Sequence, residues 1–232
     1  MKITAIGDIH GRTGWRKIVK DKMDSLIIFL GDYLDPYSNE GISEDDCINN
    51  FLEIIEFKKN NSNVILLIGN HDYQYLYYPN GATDRFTRRL KEIVNLFKDN
   101  INLFQFAYQK NDYLFTHAGI TNDWFEEYKY YLSNLGLDRE LSNFGDILNK
   151  AGTDADGLDL LCSISRFRGG YDKNGGPIWV DINEIYDNYL EDFHQIVGHN
   201  KQKYVNTVGD STSSITYCDC LEYRIEGYIL DI

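Results

Sequence analysis

Three short β-prone runs open the chain, at residues 2–6, 26–30 and 64–68, and each ends at a glycine followed by Asp or Asn. Continuous runs of this length bounded by Gly fit strands covered on both faces, as in a parallel sheet with helical crossovers. The segments between them read as helices. One is Trp15 to Lys22, and the other is Glu44 to Asn60, where Ile48, Phe51, Leu52, Ile54 and Ile55 recur at helical spacing. The order is βαβαβ, and in such sheets the carboxyl ends of the strands carry the ligands.

The pattern continues with an amphipathic helix at 83–97, apolar at Phe86, Leu90, Ile93, Val94 and Phe97 and basic at Arg85, Arg88, Arg89 and Lys91. Strand patterns resume at 101–108 and 113–116. Helices are expected at 124–135 and 141–150, then a Gly-rich loop from Arg168 to Pro177. The tail alternates short β-prone runs at 178–180, 195–197, 204–208, 214–217 and 223–229. No repeat or linker interrupts the chain, so residues 1–232 are expected to form one α/β domain with a second, more antiparallel sheet.

Composition narrows the partners. A 43% hydrophobic content with 18 Tyr excludes a disordered chain. A net charge of −13 argues against a nucleic-acid duplex, which is bound through concentrated Lys and Arg. It does not argue against a phosphate bound beside divalent cations, which invert the local field. The first motif follows residue 6 directly, and no apolar run reaches membrane-spanning length, so a cytoplasmic protein is expected. Cys47, Cys162, Cys218 and Cys220 read as reduced thiols, because Cys218-Asp219-Cys220 has no second pair to complete a metal site.

Chemistry is concentrated in five blocks: Gly7-Asp8-Ile9-His10, Gly31-Asp32-Tyr33-Leu34-Asp35, Gly69-Asn70-His71-Asp72, Thr116-His117-Ala118-Gly119 and Val197-Gly198-His199. Four of the five histidines fall inside them. His194 lies outside and reads as a core residue. Burying so many polar side chains at strand ends without a ligand would be costly. Each block alone is common by chance, but five in this order are not. The Tyr-rich stretch 73–78 offers rings for stacking on a base, although such clusters mostly belong to a core or rim.

These blocks resemble those of the calcineurin-like metallophosphoesterase superfamily, in particular its phosphoprotein phosphatase branch. The resemblance implies two mixed β-sheets sandwiched and flanked by helices. It also implies a centre for two divalent metal ions, manganese first, with iron, zinc, nickel or magnesium open. Asp8 and His10 would hold the first ion, and Asn70, His117 and His199 the second. Asp32 would bridge them, its two oxygens spanning ions about 3.5–4 Å apart. His71 would be the general acid, held by Asp35, with Asp72 behind it. A hydroxide activated by both metals would attack phosphorus.

One departure stands out. The branch follows its second block with Arg-Gly, whereas Pro36-Tyr37-Ser38 follows Asp35 here. Arg166, Arg168 and Arg12 are the candidates to bind the phosphate instead, with Arg88 or Arg89 behind them. The activity implied is hydrolysis of phosphomonoesters, with a Ser/Thr phosphoprotein first. A dinucleoside tetraphosphate or other nucleotide is the alternative, because hydrolases of that kind also lack the Arg. A binding module that has lost catalysis is the remaining alternative. The partner is a phosphorylated substrate, with no membrane.

Overall fold

The structure is a computed structural model that describes residues 1–77 and 88–232. Strands β1 (Lys2–Ile6), β2 (Leu26–Phe29) and β3 (Val64–Leu67) form the expected parallel core. Helices α1 (Trp15–Val19) and α2 (Glu44–Asn60) are the crossovers. The Ser43 side chain caps α2 by accepting from Asp46 N, and three acidic residues occupy its first turn, where the helix dipole favours them.

Helices α3 (Asn70–Leu76) and α4 (Leu90–Asp99) follow. Of the helix expected at 83–97, only the part from Leu90 is seen. Residues 83–87, with Arg85 and Phe86, lie outside the described residues, as does Tyr78. The strand expected at 101–108 is a 3-10 turn over Ile101–Leu103 and then two strands, β4 (Phe104–Gln105) and β5 (Ala107–Lys110). These belong to different sheets. At the break, Asn149 Oδ1 accepts from both Phe106 N (2.8 Å) and Ala107 N (2.9 Å), replacing the ladder partners lost there.

The second half contributes β6 (Tyr113–Thr116), α5 (Asn122–Asn134), α6 (Phe144–Ala151), α7 (Ala155–Leu161), α8 (Ile182–Ile185), β7 (His194–Val197), β8 (Asn206–Gly209), β9 (Ser214–Tyr217) and β10 (Tyr228–Asp231). No strand forms at 178–180. Trp179 N and Val180 N both bond to Gly176 O, so this run turns instead. The short helices α3, α7 and α8 were not apparent in the pattern.

The first sheet runs β10-β1-β2-β3-β4 and the second β5-β6-β7-β9-β8. Only β10 is antiparallel in the first, whereas β5 and β8 are both antiparallel to their neighbours in the second. Alternate residues explain the layering. Ile3, Ala5, Ile28 and Leu67 of the first sheet meet Phe115 and Ile196 of the second. Ile6, Ile27, Phe29 and Leu66 point the other way, to Phe51 and Ile54 of α2 and Phe97 of α4. On the far face of the second sheet, Val197, Ile215 and Tyr217 pack on Val180 and Ile185. Burying each such side chain is worth about 1.5–3 kcal/mol, so a strand register that reversed the faces would be strongly disfavoured.

Candidate metal centre

Each block sits just past the carboxyl end of a strand: Asp8 and His10 after β1, Asp32 after β2, Asn70 at the start of α3 after β3, His117 after β6, and His199 after β7. All five strands run parallel to their neighbours within this set, so the five ends gather on one side. The glycines in the blocks are steric. A Cβ on Gly69 would lie 2.1 Å from Asp32 Oδ1, and one on Gly198 2.3 Å from Asp8 Oδ1. Four of the site residues, His10, Asp32, Asp35 and His199, have left-handed backbones, with φ of 44°, 54°, 60° and 60°. Such strain persists only where surrounding contacts fix it.

Donor atoms converge in two sets. His10 Nε2 lies 3.8 Å from Asp8 Oδ2 and 3.6 Å from Asp32 Oδ2. His117 Nε2 lies 3.5 Å from the same Asp32 Oδ2 and 3.0 Å from Asn70 Oδ1, which is 2.9 Å from His199 Nδ1. Donors bound at about 2.0–2.2 Å stand roughly 3.0–3.4 Å from one another, so these spacings fit divalent ions. Asp32 serves both sets through one oxygen, not two. Its Oδ1 is taken by His71 N–H at 2.9 Å, which leaves Oδ2 to face both histidines.

The imidazoles are already oriented. His10 Nδ1 bonds to Leu34 O and His117 Nδ1 to Leu30 O, both at 2.7 Å. Carbonyls only accept, so each ring donates from Nδ1 and turns Nε2 inward, the nitrogen that would bind an ion. Burial pushes the His10 pKa down to about 3 and holds that of His199 well below the usual value. Burial also lowers that of His117, but the Asp32 and Asp8 carboxylates outweigh it and draw it up to about 10. Desolvation, with Asp32 adding to it, raises Asp8 to about 6. That concentration of negative field in a water-poor site is what bound cations would neutralise.

Asp72 holds the frame. Its Oδ2 accepts from Asp32 N (2.7 Å) and Gly69 N (2.9 Å), and its Oδ1 from Tyr33 N (3.0 Å), tying the second block to the third.

His71 Nδ1 lies 3.0 Å from Asp35 Oδ2. Asp35 also accepts from Gln74 Nε2 (2.6 Å) and from the Tyr75 hydroxyl. Gln74 and Tyr75 were missed as site residues, although they lie three and four positions after His71 and share its face of α3. A nitrogen of His71 also falls within 4.8 Å of His10 and Asp32 donor atoms, so the ring borders the first set.

The calcineurin-like phosphoesterase family matches the chain over residues 1–200, from before the first block to just past the last. The chain belongs to that family. Membership implies hydrolysis of phosphate esters and binding of divalent metals, and the donor set described above fits such ions. The phosphoesterase is similar in fold to a cold-active protein-tyrosine phosphatase from a psychrophilic Shewanella species, at 17% identity and a TM-score of 0.54. That alignment covers 96% of this chain and 72% of that one. A second structure of a cold-active protein tyrosine phosphatase gives 16% identity and a TM-score of 0.54, over 98% and 72%. No curated protein sequence matches the chain.

The candidate arginines of the phosphoesterase separate. Arg168 comes to the centre: its Nη2 bonds to Asn200 Oδ1 (2.6 Å), the residue after His199, and its charge helps hold His199 neutral. Its Nε lies 2.7 Å from Asp181 Oδ2, a charge contact without hydrogen-bond geometry. Arg166 is exposed, and its side chain makes no hydrogen bond or ion pair among the described residues. Arg12 is buried beside Asp8 but paired with Glu40. Arg89 pairs with Asp45 and Glu92 at the surface. His194, expected in the core, is only partly buried at the start of β7, away from the centre, and bonds Ser214 Oγ at 2.7 Å. The four cysteines are buried free thiols.

Proposed function

We propose that this phosphoesterase hydrolyses phosphomonoesters with two divalent ions, manganese first, and that a Ser/Thr phosphoprotein is its substrate. The observation that carries this reading is Asp32 Oδ2, shared by two donor sets with the His71–Asp35 pair at their edge. Two bound ions would supply positive charge for the phosphate oxygens and a water acidic enough to attack phosphorus.

The chain's own groups do the rest. Asp35 holds His71 Nδ1, which leaves Nε2 as the nitrogen that gives its proton to the departing alcohol oxygen. Gln74 and Tyr75 fix the Asp35 carboxylate, so the ring keeps its direction as the proton leaves. Arg168 sets a guanidinium beside His199, and its charge takes the role of the absent Arg of the second block toward the phosphate. Among the described residues no helix is long and apolar enough to cross a membrane.

The test is phosphate release by chelator-stripped protein reloaded with manganese, on phosphoserine, phosphothreonine and phosphotyrosine peptides and on diadenosine tetraphosphate. Manganese-dependent turnover of the phosphoserine or phosphothreonine peptide is expected. Turnover of diadenosine tetraphosphate alone would replace the phosphoprotein with a nucleotide, and no manganese dependence would overturn the two-metal reading.

A further inference from the structure

Tyr37 occupies the position that the second block usually gives to Gly after Arg. Its ring lies against His10, 5.0 Å between centres. Two cations from other parts of the chain reach that ring: Lys201 Nζ is 3.3 Å from its centre and Arg12 Cζ 5.6 Å. Two carboxylates serve them, unevenly placed. Glu222 pairs with Lys201 and also lies 3.8 Å from Arg12 Nη2, so one carboxylate is divided between two cations. Glu40 Oε1 takes both Arg12 Nε (2.9 Å) and Nη2 (2.7 Å), while Oε2 is buried with no hydrogen-bond partner. A matched fork uses both oxygens of the carboxylate.

We propose that Arg12 and Lys201, over the Tyr37 ring, form a second anion subsite beside the metal centre. It takes an oxyanion linked to the scissile phosphate, and Glu222 occupies the cations until that group arrives. This rests on the phosphoesterase reading above and adds the class of substrate: a phosphate ester with a second anionic group close by. Either a neighbouring phosphate of a polyphosphate or a carboxylate next to a phosphoresidue supplies that chemistry. A doubly charged phosphate displaces a singly charged carboxylate most readily, because attraction scales with charge. Lys201 can follow the exchange, since its side chain is one-third exposed and its stem flexible. Arg12 cannot move far, because Nη1 is bonded to Asp8 O.

The experiment compares KM for 4-nitrophenyl phosphate with KM for substrates that carry the second anion: a nucleoside diphosphate, and a phosphopeptide with Glu or with Gln beside the phosphoresidue. Lys201→Met should raise KM for a second-anion substrate by about tenfold relative to 4-nitrophenyl phosphate, the loss of roughly one charged contact, and Lys201→Arg should restore it. Glu222→Gln should lower the same KM several-fold, and the double variant should track Lys201→Met. A purely structural ion pair would give the opposite sign for Glu222→Gln, or shift all substrates alike, and either result overturns the subsite. Response of the nucleoside diphosphate identifies a polyphosphate; response of the Glu peptide alone identifies an acidic peptide. If nothing turns over, the phosphoesterase reading fails by itself. Binding of inorganic pyrophosphate to metal-free protein, followed by 31P NMR, then decides: Glu222→Gln must tighten it and Lys201→Met weaken it, and the reverse overturns the proposal.

Discussion

The two donor sets share Asp32 but are built differently. Asp8, His10 and Asp32 all come from the first sheet, on two adjacent strand ends, with His10 and Asp32 both held in left-handed conformations. The second set spans the molecule: Asn70 comes from the first sheet and His117 and His199 from the second. Two neighbouring strand ends therefore place the donors of the first set, whereas packing between sheets brings those of the second together, with the left-handed His199 N–H tying it to Asp8 Oδ1. The sets also differ in charge, since two carboxylates serve the first while the second has only its share of Asp32.

Asp32→Ala attacks what the sets have in common. It should remove both ions and lower turnover about a thousandfold or more, read by metal analysis and phosphate release; retention of two ions would show that Asp32 does not bridge. His71→Ala leaves both sets intact. Turnover should fall about 10²–10⁴-fold with two ions still bound, and less for 4-nitrophenyl phosphate, whose good leaving group needs little protonation, than for an alkyl phosphate. Equal losses on both esters would remove the acid role.

Ile196→Ala separates the sets. Ile196 is buried between the sheets in the strand that leads to His199. The cavity should cost about 2–5 kcal/mol of stability, visible in urea unfolding, and one ion should be stripped at lower chelator concentration than the other. Loss of both ions together would contradict the division drawn above.

The smallest effect lies far from either set, in a cap. Asp154 accepts from Gly157 N at the start of α7 and from the Tyr131 hydroxyl, and these bonds hold its pKa below the ordinary value. A depressed carboxyl contributes stability above its unfolded pKa, near 4, and loses it as pH falls through the folded value. Asp154→Asn keeps a capping oxygen but cannot titrate. The urea midpoint of the wild type should thus exceed that of the variant at pH 7 and converge on it below about pH 4. A difference that does not change with pH would assign the contribution to shape.

What the residue pattern revealed follows the same division. The first three strands are continuous apolar runs that end at their own motifs, so both the elements and the ligands could be read together. His117 and His199 were recognisable from their blocks, but not the inter-sheet packing that places them. Gln74 and Tyr75 carry no signal of their own, because the aromatic content of the stretch 73–78 masks a helix that continues from His71. The split at Phe106 escaped because the partner is Asn149, a side chain more than forty residues away in sequence, and nothing local signals it. The helix Ala155–Leu161 was hidden by its shortness and an internal Gly157. Arg168 was anticipated only as one of several arginines, since its approach to Asn200 depends on a turn closed by left-handed Gly169.

Chain order gives the two sets different histories. Residues through Asp32 supply the donors of the first set, but the last imidazole of the second follows a strand whose neighbours are β6 and the late strand β9. During synthesis, at about 5–20 residues per second, several seconds separate the first donors from His199. The donors of the first set therefore exist before those of the second, and the order of translation is the order in which the two sets could be filled.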